Sequence, residues 1–457
     1  MQKIKVFETF SGIGAQHKAL EILKKNEILE YEIVATSEWD IWANISYNAL
    51  HHNNLNIAAN LDEEIINSFL AKFTLSNDSK TPMKLEQVLK LPRLVRENLY
   101  SSIINSNNLG SITEIKGQNL INSVKEFDLL TYSFPCQDLS TAGSFHGNNQ
   151  GMKKNGGTRS GLLWEIERIL KELNEINKLP KYLLLENVNN MISERHKDDY
   201  KEWLNFLHSI GYNTQTYVLG ANEYGIPQNR KRVFALSVRK DVDNEFIDTF
   251  NISLGKVIKE FDKPSDISEK VKIKKDILEI LKENYSIPKY KIEAIKATPN
   301  KTPSRGRIFE NNRMLSSKIN TGIKRHLKNT FKFEDIIYSY FSSTITTKQD
   351  RDPNGGVINL KKTILENRVD EKKNVKKANF RLLTPRECFL LMGFEEDDFE
   401  KITDVAEKIN RSHNKKNNYL GESVLYRQSG NSIVVNVLVS IFNKIAKIEE
   451  KIKNENR

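Results

Sequence analysis

The sequence predicts an α/β fold: a doubly wound, mostly parallel sheet carrying a second, smaller domain. Three features point there. Short apolar runs alternate with segments of helical spacing through about residue 240. Two of those runs, FDLLTYSF (127–134) and YLLLENV (182–188), do not alternate with polar residues. Unalternating runs suit strands buried on both faces. Beyond residue 240 the pattern breaks into Lys-rich helical pieces, polar turns and β-prone bits such as SSTITT.

Taken in order, KIKVFET (3–9) reads as the first strand. SGIG turns the chain into AQHKALEILKK, whose apolar residues fall at helical spacing. YEIVATSEW (31–39) is a second strand ending in an acid. Residues 60–105 form an inserted helical stretch broken by SNDSKTP. The strand at 127–134 follows, and then a helix over 160–176. Leu162, Leu163, Ile166, Ile169, Leu170 and Leu173 give that helix one apolar stripe, with Ser160 as its N-cap. Pro180 opens YLLLENV, EWLNFLHSIGY is a helix closed by Gly211, and RVFALSV (232–238) is the next strand. RLLTPRECFLLMGF and NSIVVNVLVSIFNKI then regain helical periodicity, and KIEEKIKNENR frays. The division expected is 1–240, 241–375 and 376–457, with the last part returning to the first domain.

Composition narrows the class of function. At 38% hydrophobic residues there is ample material for a core, and no run of about 18 apolar residues predicts a membrane span. MQKIKVFETF lacks the layout of a signal peptide. Two cysteines, Cys136 and Cys388, provide neither a disulfide framework nor zinc spacing, so no metal is expected and a reducing cytoplasm fits. A net charge of +11 is compatible with a polyanionic partner and equally with a Lys-rich chain kept soluble.

FETFSGIGAQ places Gly12 and Gly14 between a strand and a helix. Glycines there allow positive φ and close approach of a ligand to the backbone. Glu38 ends the next strand, where ribose hydroxyls are usually bound. His17 stands where a dinucleotide turn has its third glycine. That favours a nucleoside without pyrophosphate, and S-adenosylmethionine fits; a tight turn with no ligand is the alternative.

Cys136 sits just past the carboxyl end of a buried strand, where α/β proteins place their chemistry. Glu186 ends YLLLE, an equivalent place on another strand, and an acid after three leucines is costly if merely structural. QNRKR (228–232) adds Gln228, Arg230 and Arg232 before a further strand. A thiolate, a carboxyl and a methyl donor together suit methylation of cytosine at carbon 5. Thiolate addition to carbon 6, with proton donation at N3, makes carbon 5 nucleophilic. Nearby cations favour the thiolate, and burial favours the protonated acid. A target within a duplex must first leave the stack. Cys388, inside a helical apolar stripe, reads as structural.

These residues resemble the C5-cytosine DNA methyltransferase family, motif by motif and in the family's order. The matching runs are FSGIG (10–14), EW (38–39), SFPCQDLS (133–140), ENV (186–188), QNRKR (228–232), RLLTPRECFLLMGF (381–394) and QSGNSIVVNVL (428–438). They span nearly the whole chain. The run from PCQDLS to LPKYLLLENV is similar to bacterial and phage members, including CpG-type enzymes of wall-less bacteria. The resemblance implies the Rossmann-like fold of S-adenosylmethionine-dependent methyltransferases. It makes Cys136 the nucleophile and Glu186 the N3 partner, gives Arg232 a contact to the flipped base and has Arg230 support the catalytic loop. Phe10, Gly12, Gly14, Glu38, Trp39, Pro135, Asn431 and Ser432 then line the S-adenosylmethionine site, with S-adenosylhomocysteine as product. There is one departure: Ser111 stands where members usually carry an Asp toward the adenine.

In the family, the region before RLLTPRECFLLMGF reads the target sequence. Arg305, Arg307, Arg313 and Arg325 are suited to guanine edges or phosphates. STITTKQDRDPNGG (343–356) resembles the Thr-containing recognition element, with Thr346 and Arg351. Gln137, Ser140 and Gln228 complete the expected DNA contacts, and the loop 137–151 is expected to close over the duplex. The implied partners are double-stranded DNA and a cognate restriction endonuclease acting separately, with a monomer and no membrane. Two other readings are a tRNA cytosine-5 methyltransferase and a catalytically silent DNA-binding regulator. The large basic variable region argues against the first, and intact Cys136, Glu186 and Arg232 against the second.

Overall fold

The computed structural model describes residues 3–135, 139, 152, 159–246, 275–299, 314–315, 325–326, 330–333, 336–369, 375–412 and 418–455. Cys136, Gln137, Ser140, Arg305, Arg307 and Arg313 lie outside the described residues, as does the loop 137–151 apart from Leu139.

The central sheet is built from β1 (Lys3–Thr9), β2 (Glu30–Ser37), β3 (Leu129–Tyr132), β4 (Tyr182–Val188), β5 (Tyr212–Gly220) and β7 (Lys231–Arg239). A two-residue strand, β6 (Gln228–Asn229), lies outside it. The order is β2-β1-β3-β4-β7-β5. Pairing is parallel from β2 through β4, and β7 runs antiparallel to both β4 and β5. The mostly parallel α/β sheet is therefore as expected, but β5 was not foreseen. Its sequence, YNTQTYVLG, alternates polar and apolar residues, and it closes one end of the sheet.

The unalternating runs are buried on both faces. Leu129, Tyr182, Leu184, Phe234 and Leu236 enter one apolar cluster, while Leu130, Leu183, Leu185, Val233 and Ala235 enter the other. The first cluster also takes α1 (Ala15–Lys25) and the C-terminal helix Val435–Glu455, which pack together. The second takes the helices Leu163–Glu175 and Lys197–Ser209. At about 25 cal/mol per Å² of apolar surface removed from water, burial on both faces is the main force holding the layers. The apolar stretch 422–455 is long enough to span a membrane by composition, yet most of it is buried inside the protein.

Several boundaries move. A 3-10 turn, Arg159–Leu162, precedes the helix Leu163–Glu175, so Leu162 and not Ser160 holds the cap position. Residues 432–434 interrupt the expected C-terminal helix: one helix ends at Asn431, Ser432 is extended at φ −70 and ψ 158, and the next begins at Val435. Phe380–Leu382 is a strand, and the helix of RLLTPRECFLLMGF starts only at Pro385. Thr384 caps it, accepting from the Glu387 N–H at 3.2 Å while Glu387 accepts from the Thr384 N–H at 2.8 Å.

A second sheet follows the central one in the chain. Its order is Phe380–Leu382, Val357–Asn359, Met314–Leu315, Ile336–Ser339, Thr330–Phe333 and Arg325–His326. The helices Ile277–Ile280 and Pro288–Lys296 precede it in the chain. These strands are two to four residues long, too short for a sequence period to register.

Candidate active site

The carboxyl ends of β1 and β2 build one half of the site. Phe10, Gly12 and Gly14 all have positive φ, at 53, 54 and 78 degrees. At Gly14 a Cβ would also overlap the His51 and Tyr47 side chains, so glycine is required twice over. At Gly12 a Cβ would meet nothing within 4 Å, which leaves its backbone facing open space. His17 stacks on His51 with ring centres 4.1 Å apart and bonds to the Tyr47 hydroxyl at 2.8 Å. It is thus part of the support beneath the turn.

Glu38 follows β2 directly. Its Oε1 accepts from the N–H groups of Trp39 at 2.9 Å and Asp40 at 2.8 Å, and its Oε2 from Gly12 at 3.0 Å. Burial pushes this carboxyl up and Asp40 adds to it; the three N–H groups pull the other way, and it lies at about 7. Oε2 keeps a lone pair for a further donor. Asn108 grips the Glu38 backbone from both sides, accepting from its N–H at 3.0 Å and donating to its carbonyl at 2.8 Å. Sequence reasoning missed Asn108, although it stands three residues before Ser111. Trp39 is half-buried beside Glu38, and its carbonyl accepts from Ser76 at 2.8 Å. The inserted stretch therefore docks against this end of the site. Ser111 shares a hydrogen bond with Thr113 at 2.9 Å.

The other half comes from β3, β4 and β7. Because β7 is reversed, its first residues lie at the carboxyl end of β4: Val188 faces Arg232 in the register. Sequence positions that precede a strand are thereby delivered to the functional edge. Glu186 and Arg232 meet there, Oε1 to Nε at 3.4 Å, with side chains 12% and 17% exposed. Burial pushes the Glu186 carboxyl up and the two guanidiniums, Arg232 ahead of Arg230, pull it down; the net is above the ordinary range.

Two asparagines hold the ends of the Cys136 segment. Asn187 donates to the Phe134 carbonyl at 3.1 Å, and Asn190 donates to the Leu139 carbonyl at 2.6 Å. Cys136 lies between those carbonyls in sequence and next to the half-buried Pro135. Neither asparagine was singled out from the sequence. The available signal was three asparagines within ENVNN, at the end of a buried strand.

Arg230, expected among the catalytic groups, is occupied by main-chain carbonyls and pulls on the Glu186 carboxyl less than Arg232 does. Its guanidinium is buried and donates to the carbonyls of Ile345 at 2.9 Å, Gly430 at 3.2 Å and Ser432 at 2.8 Å. Gln228 is corrected similarly. It is fully buried, donating to the Leu391 carbonyl at 2.8 Å and accepting from the Ile345 N–H at 2.9 Å, which withdraws it from DNA. Asn431 is exposed at its helix end, while Ser432 is buried and offers its carbonyl to Arg230. Thr346 is half-buried, and Arg351 is exposed with Asp350 at 3.7 Å. Arg325 lies in a short strand of the second sheet.

The chain's similarities can be set against this geometry. The model of the family described as C-5 cytosine-specific DNA methylase matches residues 96–447. Orphan methyltransferase M.SssI of Spiroplasma monobiae is 34% identical over 97% of each chain. Type II methyltransferase M2.ScrFI of Lactococcus lactis subsp. cremoris is 30% identical over 97% of this chain and 99% of its own. Among solved structures, S. pombe Dnmt2 methyltransferase shares 16% identity and a TM-score of 0.54, covering 98% of this chain and 99% of its own. Entamoeba histolytica methyltransferase EhMeth shares 15% and a TM-score of 0.52, covering 100% of both. Likeness at that identity concerns the fold.

Proposed function

This chain belongs to the C-5 cytosine-specific DNA methylase family and is a DNA cytosine-5 methyltransferase, and from that premise we propose that it methylates a cytosine swung out of a specific duplex sequence through a covalent bond from Cys136. The observation that carries this reading is the pairing of Glu186 with Arg232 at 3.4 Å, on the edge where Asn187 and Asn190 anchor the Cys136 segment.

S-adenosylmethionine is the methyl donor in this proposal, and when bound it supplies an electrophilic methyl on a positively charged sulfur. The residues present fit it. The Gly12 backbone faces open space, and Glu38 keeps a free acceptor on Oε2 for a ribose hydroxyl. Phe10, Gly14, Trp39, Pro135, Asn431 and Ser432 complete the proposed lining, with Trp39 as a flat surface for adenine.

The chain's own groups divide the chemistry. The Cys136 thiolate adds to carbon 6 of the cytosine. Glu186, whose hold on a proton is strengthened by burial, donates that proton to N3, so electron density moves to carbon 5. Arg232 lies beside Glu186 and opposes the charge that appears on it as the proton leaves. After methylation, solvent water takes up the carbon-5 proton as the thiolate is expelled, and N3 returns its proton to Glu186. Gln137, Ser140, Arg305, Arg307, Thr346 and Arg351 are proposed DNA contacts. The enzyme is proposed to act as a cytoplasmic monomer at the nucleoid, beside a separate cognate endonuclease of the restriction–modification kind.

Incubation of the purified protein with methyl-labelled S-adenosylmethionine and duplex DNA tests the reading. Label should enter DNA, and DNA carrying 5-fluorocytosine should trap an adduct at Cys136, because fluorine blocks the final elimination. Cys136→Ser should abolish turnover yet retain DNA binding. Transfer to tRNA alone would overturn the assignment to DNA.

A further inference from the structure

Five contacts tie the segment 342–345 to the entry of β7. Ser342 and Ser343 pair in parallel with Gln228 and Asn229 of β6. The Thr344 hydroxyl donates to the Asn229 carbonyl at 2.8 Å. Both main-chain polar groups of Ile345 are then used: its N–H donates to Gln228 Oε1 at 2.9 Å, and its carbonyl accepts from Arg230 Nη1 at 2.9 Å. At Gly430 a Cβ would overlap the backbone of Thr346 and Thr347, so the segment is seated on the helix end as well. Gln228 also holds Leu391, and Arg230 also holds Gly430 and Ser432. Two residues past Arg230 stands Arg232, 3.4 Å from Glu186.

A buried amide and a buried guanidinium with these partners could be ordinary stabilisation. What distinguishes them is the position of their shared partner. Ile345 immediately precedes Thr346, a proposed DNA contact, so both struts fix the part of the variable region that must meet DNA. The other end of the same four-residue path enters the catalytic strand. We propose that Gln228 and Arg230 are positioning residues that lock segment 342–347 in register with Glu186 and Arg232, so that recognition of the flanking sequence sets where the extruded cytosine sits. The inference rests on the methyltransferase reading above and assigns neither residue a contact with DNA. It predicts that loosening the lock blurs sequence discrimination without touching the donor site.

The test uses the full chain, S-adenosylmethionine and a pool of duplexes with randomised flanks around a cytosine, read by bisulfite conversion. Gln228→Met preserves volume and removes the tie to Ile345. Thr344→Val removes the more exposed tie to Asn229 and leaves the buried struts in place. Discrimination between the preferred site and its one-base variants should fall about tenfold in Gln228→Met, in line with a lost buried hydrogen bond, and by a smaller factor in Thr344→Val. Turnover on the preferred site should fall alongside, while binding of S-adenosylmethionine, followed by equilibrium dialysis, stays at the wild-type level. Full discrimination in both variants, with only thermal stability lost, would overturn the inference and leave the struts structural. If Gln228→Met does not fold, unchanged discrimination in Thr344→Val is enough to overturn it. A wild-type protein that methylates every cytosine alike overturns it too. A wild-type protein that methylates no DNA removes the function itself, a result separable from the others.

Discussion

The Nε of Arg232 lies 3.4 Å from Oε1 of Glu186, across the antiparallel pair of β4 and β7. Glu186 acts as a donor, so its share of the rate is present when it is protonated and falls as pH rises through its raised pKa. Arg232 is the cation that pulls that pKa down most. Arg232→Ala should therefore carry the alkaline limb of single-turnover methyl transfer to higher pH. Glu186→Gln should remove the limb and slow transfer by roughly a hundredfold to ten-thousandfold. An alkaline limb that stays put in both variants excludes Glu186 as the titrating donor.

Asn187 and Asn190 supply the second prediction. Each holds one carbonyl, of Phe134 and Leu139, on either side of Cys136. Removing either bond frees one end of the nucleophile's segment while leaving the Gly12 and Glu38 contacts of the donor site intact. Asn187→Ala should lower the rate of covalent trapping by 5-fluorocytosine DNA about tenfold or more, since small misplacements of a nucleophile are expensive. S-adenosylmethionine binding should not change. Equal loss of binding and trapping would indicate general unfolding, and unchanged trapping would reduce Asn187 to a structural residue.

A third prediction concerns Glu38. Three main-chain N–H groups converge on its carboxyl. Glu38→Gln would turn an amide NH₂ toward at least one of them, placing donor against donor. The near-isosteric change should then weaken S-adenosylmethionine binding at least as much as Glu38→Ala, on the order of tenfold or more for a lost charged acceptor. Asn108→Ala, which releases the Glu38 backbone, should weaken it by a smaller factor. Isothermal titration would decide, and wild-type affinity in Glu38→Gln would count against the proposed ribose contact.

The residues that the sequence made conspicuous share one property: their physics is local. Gly12 and Gly14 show a turn, and YLLLE shows an acid out of place. Their structural outcomes match, with positive φ at both glycines and a raised Glu186 pKa. What escaped depends on partners distant in the chain. From QNRKR, Gln228 was expected at DNA and Arg230 beside the catalytic loop. Their partners are over a hundred residues away, at Ile345, Leu391 and Gly430. Asn108 and the asparagines of ENVNN were invisible for the same reason, since an amide's value lies in which carbonyl it reaches. The strand β5 escaped because half-buried alternation on an edge carries a weak signal.

Beneath the glycine turn, Glu8 is fully buried on β1 and predicts how stability should vary with pH. Burial raises its carboxyl to about 8, against the pull of the Tyr47 hydroxyl at 3.0 Å and a contact from His17. The buried Glu38 adds to the upward push. A folded-state pKa above the unfolded value of 4.5 means the native state holds the extra proton. The contribution is complete below pH 4.5 and is lost as pH rises through about 8. Glu38, at about 7, has the same sign. The melting temperature of the ligand-free protein should fall between pH 6 and 9 by these two groups, as pH values chosen around about 7 and about 8. Glu8→Gln should flatten that fall. A melting curve equally steep in Glu8→Gln would show that other groups set the slope.

Arg381 and Glu387 form an ion pair with neither side chain exposed. Arg381 donates to both carboxyl oxygens at 2.8 Å, and its Nε reaches the Tyr285 hydroxyl at 3.0 Å. The N–H groups of Lys282 at 2.7 Å and Thr384 at 2.8 Å fill the remaining acceptor positions on Glu387. Burial pushes the Glu387 carboxyl up, but Arg381 and these N–H groups more than offset it, and it lies below the ordinary range. The pair joins a strand of the second sheet to the helix that follows it, so its loss should loosen that junction. Arg381→Met leaves a buried carboxylate without its cation and should cost about 3–5 kcal/mol of stability. Replacing both partners, Arg381→Met with Glu387→Gln, removes the stranded charge and should recover a large part of that loss. Denaturant unfolding of the two proteins would measure the difference. Equal destabilisation in the single and double variants would show that packing around Arg381, and not the unpaired charge, sets the cost.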